Sequence, residues 1–206
     1  MKKQTITQLL ALFALLLASL ACAGTTSTDD SSSSETPTPR PLMGFDFEEV
    51  CRRGTVDEVP AYVAEPGSGK IHPVLVFENR FSEANSFSQI YPSTLKFPVP
   101  WMVDSDGDFS TVEVVACLEK ADTTFVQTCD YTDDDTGDEF LLDVYNATYD
   151  VHVYAAQSGE ELGGTTLFAE TDDCPMFHMF SNPKEDYFAS VSMVELQEFL
   201  APIVEP

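Results

Sequence analysis

The chain has 206 residues, with 10 Lys and Arg against 35 Asp and Glu and a formal net charge of −25, a length that suits one folded domain with a tail. Such acidity excludes a general nucleic-acid binder, whose phosphate contacts need Lys and Arg, and it opposes docking on an anionic membrane surface. Hydrophobic residues at 43% are enough for a packed core and exclude wholesale disorder.

Residues 1–23 read as an export signal. Lys2 and Lys3 supply the positive start, residues 6–20 the apolar run, and Ala21-Cys22-Ala23-Gly24 the small-residue cleavage region. Two processing routes fit: cleavage before Cys22 followed by its lipidation, or ordinary cleavage after Ala23. Residues 24–42 follow as a tether of Ser, Thr, Pro and acids, too poor in apolar side chains to offset the entropy of ordering, so disorder is expected. A cysteine ahead of a polar tether is the layout of a domain held off a membrane, which favours lipidation of Cys22. No later run approaches the roughly 20 apolar residues of a spanning helix.

The folded part is expected over residues 43–206. Residues 72–77 read as a strand leaving a Gly67-Ser68-Gly69 turn. Residues 95–102 are apolar but carry Pro98 and Pro100, which predicts an edge segment or a loop. Residues 111–119 and 123–131 read as two strands of a hairpin folded near residue 123. Residues 140–156 form a long β-rich stretch, turned at Ser158-Gly159 and returning over 163–169. The simplest register sets Val151 opposite Thr166 and Tyr149 opposite Phe168, with a slip of one residue if the glycine takes a bulge. Asp150, His152 and Tyr154 then face solvent. Ser192-Met-Val-Glu195 is a capping box that opens a helix with an apolar stripe of Val194, Leu196, Phe199 and Leu200, ended by Pro202. The expected fold class is mainly β: an antiparallel sheet or sandwich with one C-terminal helix.

Cys22 is consumed by either processing route, which leaves Cys51, Cys117, Cys129 and Cys174, an even number in an exported chain. Two disulfides are expected. The hairpin near residue 123 sets Cys117 opposite Cys129, where opposed Cβ atoms lie about 4.5–5.5 Å apart. The expected bridges are therefore Cys117–Cys129 and, by elimination, Cys51–Cys174. Cys174-x3-His178 lacks the second ligand pair that a zinc site requires.

Between Asp104 and Glu139 twelve carboxylates face one lysine. Asp104-Ser-Asp106-Gly-Asp108 starts like a calcium loop, but Phe109 and Val115 occupy the EF-hand positions for Gly and Glu. A looser turn of this kind can still hold Ca²⁺ weakly through Asp104, Asp106 and Asp108, with residues 133–139 as a second acidic run. The plain alternative is that Asp and Gly serve the turns themselves. No G-x-S-x-G or H-E-x-x-H occurs, and His72, His152 and His178 are scattered. Carboxylates are plentiful enough for a glycosidase pair, yet nothing marks two of them. Tyr91, Phe97 and Trp101 beside prolines read as core, or as the lining of a glycan or peptide groove.

Several segments occur together: Cys-Arg-Arg-Gly at 51–54, Gly-Lys-Ile-His-Pro-Val at 69–74, Pro-Val-Pro-Trp at 98–101 and Val-Val-Ala-Cys-Leu at 114–118. Cys-Asp-Tyr at 129–131, Tyr-Asp-Val-His-Val-Tyr-Ala-Ala-Gln-Ser-Gly at 149–159, Cys174-Pro175 and the closing 196–204 segment complete the set. In this order, over most of residues 50–204, the chain resembles a family of small exported bacterial proteins, often lipoproteins, with a disulfide-stapled β domain and no assigned activity. It departs from that pattern in carrying Phe199 where Trp is usual and Asp172-Asp173 where an Arg lies near the last cysteine. The reading is an exported, lipid-anchored envelope protein with a non-catalytic extracytoplasmic β module that binds a protein or glycan partner at the cell surface. Membrane contact is expected through the lipid alone, with no nucleic acid and no cofactor beyond the calcium considered above. The alternatives are a structural surface lipoprotein and a hydrolase with a carboxylate site.

Overall fold

In a computed structural model, residues 40–79, 86–133 and 135–206 are described. The export segment, the lipidation candidate Cys22, the tether up to residue 39 and Asp134 lie outside them.

The described part is mainly β. Six strands, β1 (Val74–Glu78), β2 (Ser88–Gln89), β3 (Val114–Thr132), β4 (Glu139–Ala155), β5 (Glu161–Ala169) and β6 (Lys184–Phe188), form one sheet in the order β2-β1-β3-β4-β5, with β6 also paired to β4. The sheet is mixed rather than antiparallel throughout. β1 runs parallel to β3, and β6 runs parallel to β4 beyond the end of β5. Helices are the short α1 (Glu48–Cys51) and α2 (Pro92–Leu95) and the C-terminal α3 (Met193–Val204). Among the described residues no helix is long and apolar enough to cross a membrane.

Both faces of the sheet centre are covered. On one face Val114, Ala116, Leu118, Val151 and Val153 meet Leu196, Leu200 and Val204 of α3, together with Trp101, Phe97 and Leu95. The helix residues recur every four positions, so one stripe meets the sheet. On the other face Leu75, Phe77, Val115 and Cys117 meet Phe47, Val50 and Cys51 of the α1 region and Phe109. Burial on both faces explains why β1 and the first part of β3 read as continuous apolar runs. It also corrects Tyr154. That side chain is buried rather than facing solvent, with the Arg53 guanidinium 4.9 Å from its ring centre.

The hairpin expected near residue 123 does not form. β3 runs on for 19 residues and pairs with the 17 residues of β4, so that Cys117 lies opposite His152 and Cys129 opposite Leu142. No Gly or Pro occurs between Asp108 and Thr136, so Lys120-Ala121-Asp122 has no turn chemistry to stop the strand. Instead the register shifts twice, at Lys120/Asp122 and Phe125/Gln127, as bulges that bend a long ladder. The reversal comes at Asp133–Asp138, where Gly137 takes φ +77° and the Asp133 carboxylate accepts from the Asp135 and Thr136 amides.

This length of strand overturns the expected disulfides. Twelve residues of strand separate Cys117 and Cys129 by about 40 Å. The bridges are Cys51–Cys117, with Cα atoms 5.6 Å apart, and Cys129–Cys174, with Cα atoms 5.9 Å apart. The first ties α1 onto the sheet centre, and the second ties the loop after β5 to the far end of the β3–β4 ladder.

Two smaller expectations also change. The β4–β5 register is the slipped one, with Val151 opposite Thr165 and Tyr149 opposite Leu167 and a shift at Val153/Tyr154. Pro202 lies inside the last turn of α3 rather than ending it. That end is held from outside, because the His72 amide donates to Val204, the Gly67 amide to Pro206 and the Tyr62 hydroxyl to Ile203. Half of the expected capping box opens the helix: the Ser192 hydroxyl accepts from the Glu195 amide at 3.4 Å.

Candidate functional site

The loop between β5 and β6 is built to present apolar side chains. Its start is fixed by the Cys129–Cys174 bridge, by Gln127 donating to the Asp172 carbonyl at 3.0 Å, and by the Tyr131 hydroxyl donating to the Pro175 carbonyl at 2.5 Å. Burial pushes the Tyr131 phenol up, so it stays a donor at neutral pH. The loop's end is fixed by Phe180, whose ring stacks 4.9 Å from Phe140 and lies 5.3 Å from Tyr131. The Tyr131 and Phe180 rings pack on a small core of Cys129, Leu142 and Val144.

Glu185 at the start of β6 locks the turn between. One of its oxygens accepts from the Ser181 and Asn182 amides, and the other lies 2.9 Å from His178 Nε2. Bonding to His178 and to these two amides holds the Glu185 carboxyl below the usual carboxylate range.

Between the two anchors, Met176, Phe177 and Met179 stand 103%, 78% and 78% exposed. Single exposed apolar side chains are ordinary, but three within four residues of a pinned loop are not. They border a cleft of about 500 Å³ whose other wall is Tyr131, Asp133 and Phe140 from the hairpin end. Thioethers and rings in such a place offer an adaptable apolar contact surface. The surroundings are acidic: Asp133 lines the cleft, and Asp135 and Asp138 from the same turn and Asp172 and Asp173 just ahead of Cys174 are all exposed.

The residues singled out from sequence lie elsewhere or serve the fold. Cys174 is spent in a disulfide, so Cys174-x3-His178 cannot ligate a metal. Asp108 caps the short turn Phe109–Thr111 by accepting from the Ser110 amide at 3.0 Å and its hydroxyl at 2.6 Å, which lowers its pKa. The Asp104 carbonyl, and not its carboxylate, closes the turn at Gly107. Among the described residues no group of three or more His, Cys, Asp or Glu is gathered to hold a metal ion, so Asp104, Asp106 and Asp108 form no such group.

Trp101 and Phe97 are core residues in edge contact, and Trp101 Nε1 donates to Glu205 at 2.6 Å. Tyr91 is the one of the three that is exposed. His152 pairs with Glu161 at 2.8 Å on the β4–β5 ladder. His72 is fully buried, with Nδ1 2.7 Å from Glu113.

The exposed loop was missed by sequence reasoning. Its signal is Cys-Pro-Met-Phe-His-Met-Phe at 174–180, an apolar run with neither helical nor strand period, between acids and beside a proline.

The chain matches no protein-family model, no curated protein and no solved structure. Two disulfides in one domain do mark a fold suited to an oxidising, extracytoplasmic compartment.

Proposed function

We propose that this chain is an exported envelope protein, anchored through a lipid on Cys22, whose β domain is a non-catalytic binding module. It engages its partner at the cell surface through the 174–180 loop and the adjoining end of the β3–β4 hairpin. The observation that carries this reading is the exposure of Met176, Phe177 and Met179 on a loop fixed at both ends. A loop with no ligand to meet has no reason to combine a disulfide, an aromatic stack and a carboxylate clamp with outward apolar side chains. The disulfides support the exported address, and the Cys22-plus-tether layout supports the anchor.

Two measurements test it. Cys22→Ser is expected to move the protein from the membrane fraction to the soluble one; unchanged fractionation sinks the anchor. A photo-crosslinking residue at Met179 is expected to give a dominant adduct in cells, while the same group at Glu195 on α3 gives none. Equal crosslinking from both positions sinks the loop as the binding surface.

A further inference from the structure

Charge around the loop narrows what can dock there. From Ala121 to Pro183 the sequence contains no Lys or Arg. Lys184 is the next base, and its ammonium is 2.7 Å from Asp143. The apolar tip of Met176, Phe177 and Met179 therefore projects from a rim of uncompensated carboxylates.

This combination discriminates among occupants. An anionic bilayer is repelled by the rim. A second copy docked through the same face would set two acidic rims against each other at close range, with no Lys or Arg between Ala121 and Pro183 of either copy to separate them. A neutral apolar partner would bury the tip but leave the neighbouring acids desolvated without partners, which is costly. A partner with an apolar stripe flanked by cations satisfies both features. Its stripe covers the thioethers and the Phe177 ring, and its Lys and Arg meet Asp133, Asp172 and Asp173. The cleft of about 500 Å³ beside the loop accepts one or two side chains of that stripe.

We infer that the partner of the 174–180 loop is a basic amphipathic peptide segment of another protein, bound by its apolar stripe on Met176, Phe177 and Met179 and by its cations on the acidic rim. Unbranched, polarizable methionines suit such a segment because they adapt to different stripe sequences. The inference rests on the binding-module reading above and adds the class of partner.

The probe is an 18-residue amphipathic helix of Leu and Lys, with a Leu/Glu helix of the same pattern and zwitterionic phosphatidylcholine vesicles as controls. Each is titrated calorimetrically into the exported Cys22→Ser protein and into the same protein carrying M176S, F177S and M179S, whose melting temperature is checked first. The Leu/Lys helix is expected to bind with a dissociation constant of about 1–10 μM at low salt. Its affinity is expected to fall by about tenfold or more at 0.5 M NaCl, where rim charges are screened. The triple variant should lose about as much, since deleting a buried apolar contact of this size is worth a factor of ten or more. The Leu/Glu helix should not bind.

Comparable binding of both helices overturns the basic-partner inference and leaves the docking surface standing, with crosslinking from Met179 still specific. Binding of Leu/Lys that is unchanged in the triple variant overturns the inference and the loop reading together, because the acids alone then hold the peptide. Binding of vesicles but of neither helix assigns the loop to lipid. No binding of any probe, or self-association of the protein in sedimentation, also overturns a basic partner.

Discussion

Glu113 and Asp143 are the buried carboxylates among the described residues, and each is held by a cation. Glu113 accepts from His72 Nδ1 at 2.7 Å and from Lys70 at 3.1 Å. In the tautomer that donates Nδ1–H to Glu113, His72 Nε2 is a bare acceptor without a partner among the described residues, and the imidazole and Tyr62 ring centres lie 4.5 Å apart. Removing the carboxylate leaves a buried imidazole with both nitrogens unpaired. Glu113→Ala is therefore expected to cost about 3 kcal/mol in urea unfolding at pH 7, with Glu113→Gln costing less. A loss near zero for Glu113→Ala shows that the cluster is not structural. Asp143 accepts from Lys184 at 2.7 Å and from Thr128 at 2.6 Å, and these bonds lower its pKa. A carboxylate with a lowered folded-state pKa stabilises the fold fully above its ordinary value of about 3.9 and loses that contribution as pH falls through the lowered one. Asp143→Asn should accordingly lower the melting temperature at pH 7, and the gap to the parent should close as pH drops below about 4. A gap that stays constant across that range contradicts the ion pair's role.

The Cys129–Cys174 bridge closes 45 residues and pins the candidate loop to the ladder. The chain-entropy model assigns such a bridge about 4 kcal/mol. Replacing both cysteines by Ser should lower stability by up to that amount and should open the peptide bonds around Phe177 to limited proteolysis. Cleavage no faster than in the parent shows that the aromatic stack and Glu185 suffice. Elements whose signal is local were legible: the Ser192 N-cap, β1 after its glycine turn, the β4–β5 hairpin around Gly159 and the sum of two bridges. What was not legible depends on distant contacts. Nothing near residue 120 says that a strand should reach 19 residues, since its far half is packed by Phe180 and Tyr187 and bridged at Cys129 to Cys174, all more than 40 positions on. Read as two strands, the same residues imply the wrong disulfide pairing. Pro202 reads as a stop because its missing N–H is local, whereas the strap from Tyr62, Gly67 and His72 that holds the helix end is not.

Across the whole molecule, the charge of −25 is unevenly placed, since the stretch without bases contains the β3–β4 turn, the exposed 174–180 loop and most of the long ladder. That asymmetry was visible in the sequence; its meeting with an exposed apolar tip was not, because exposure is a tertiary property. If Lys2 and Lys3 leave with the export signal, the mature charge is −25 − 2 = −27. Self-repulsion of this kind opposes the compact state and is relieved by any mobile ion. The Debye length shrinks from about 30 Å at 0.01 M salt to about 3 Å at 1 M. The melting temperature should therefore climb with NaCl over that range. The Asp108 and Asp133 carboxylates are already committed to the Ser110, Asp135 and Thr136 amides. A divalent ion taken up there would find only the second oxygen of each carboxylate outside the caps that hold the two turns. Millimolar CaCl₂ should thus raise the melting temperature no more than MgCl₂ at the same concentration, because both act only on the general field. A further rise specific to calcium, abolished by Asp106→Asn, would instead assign a cation site to the Asp104–Asp108 turn.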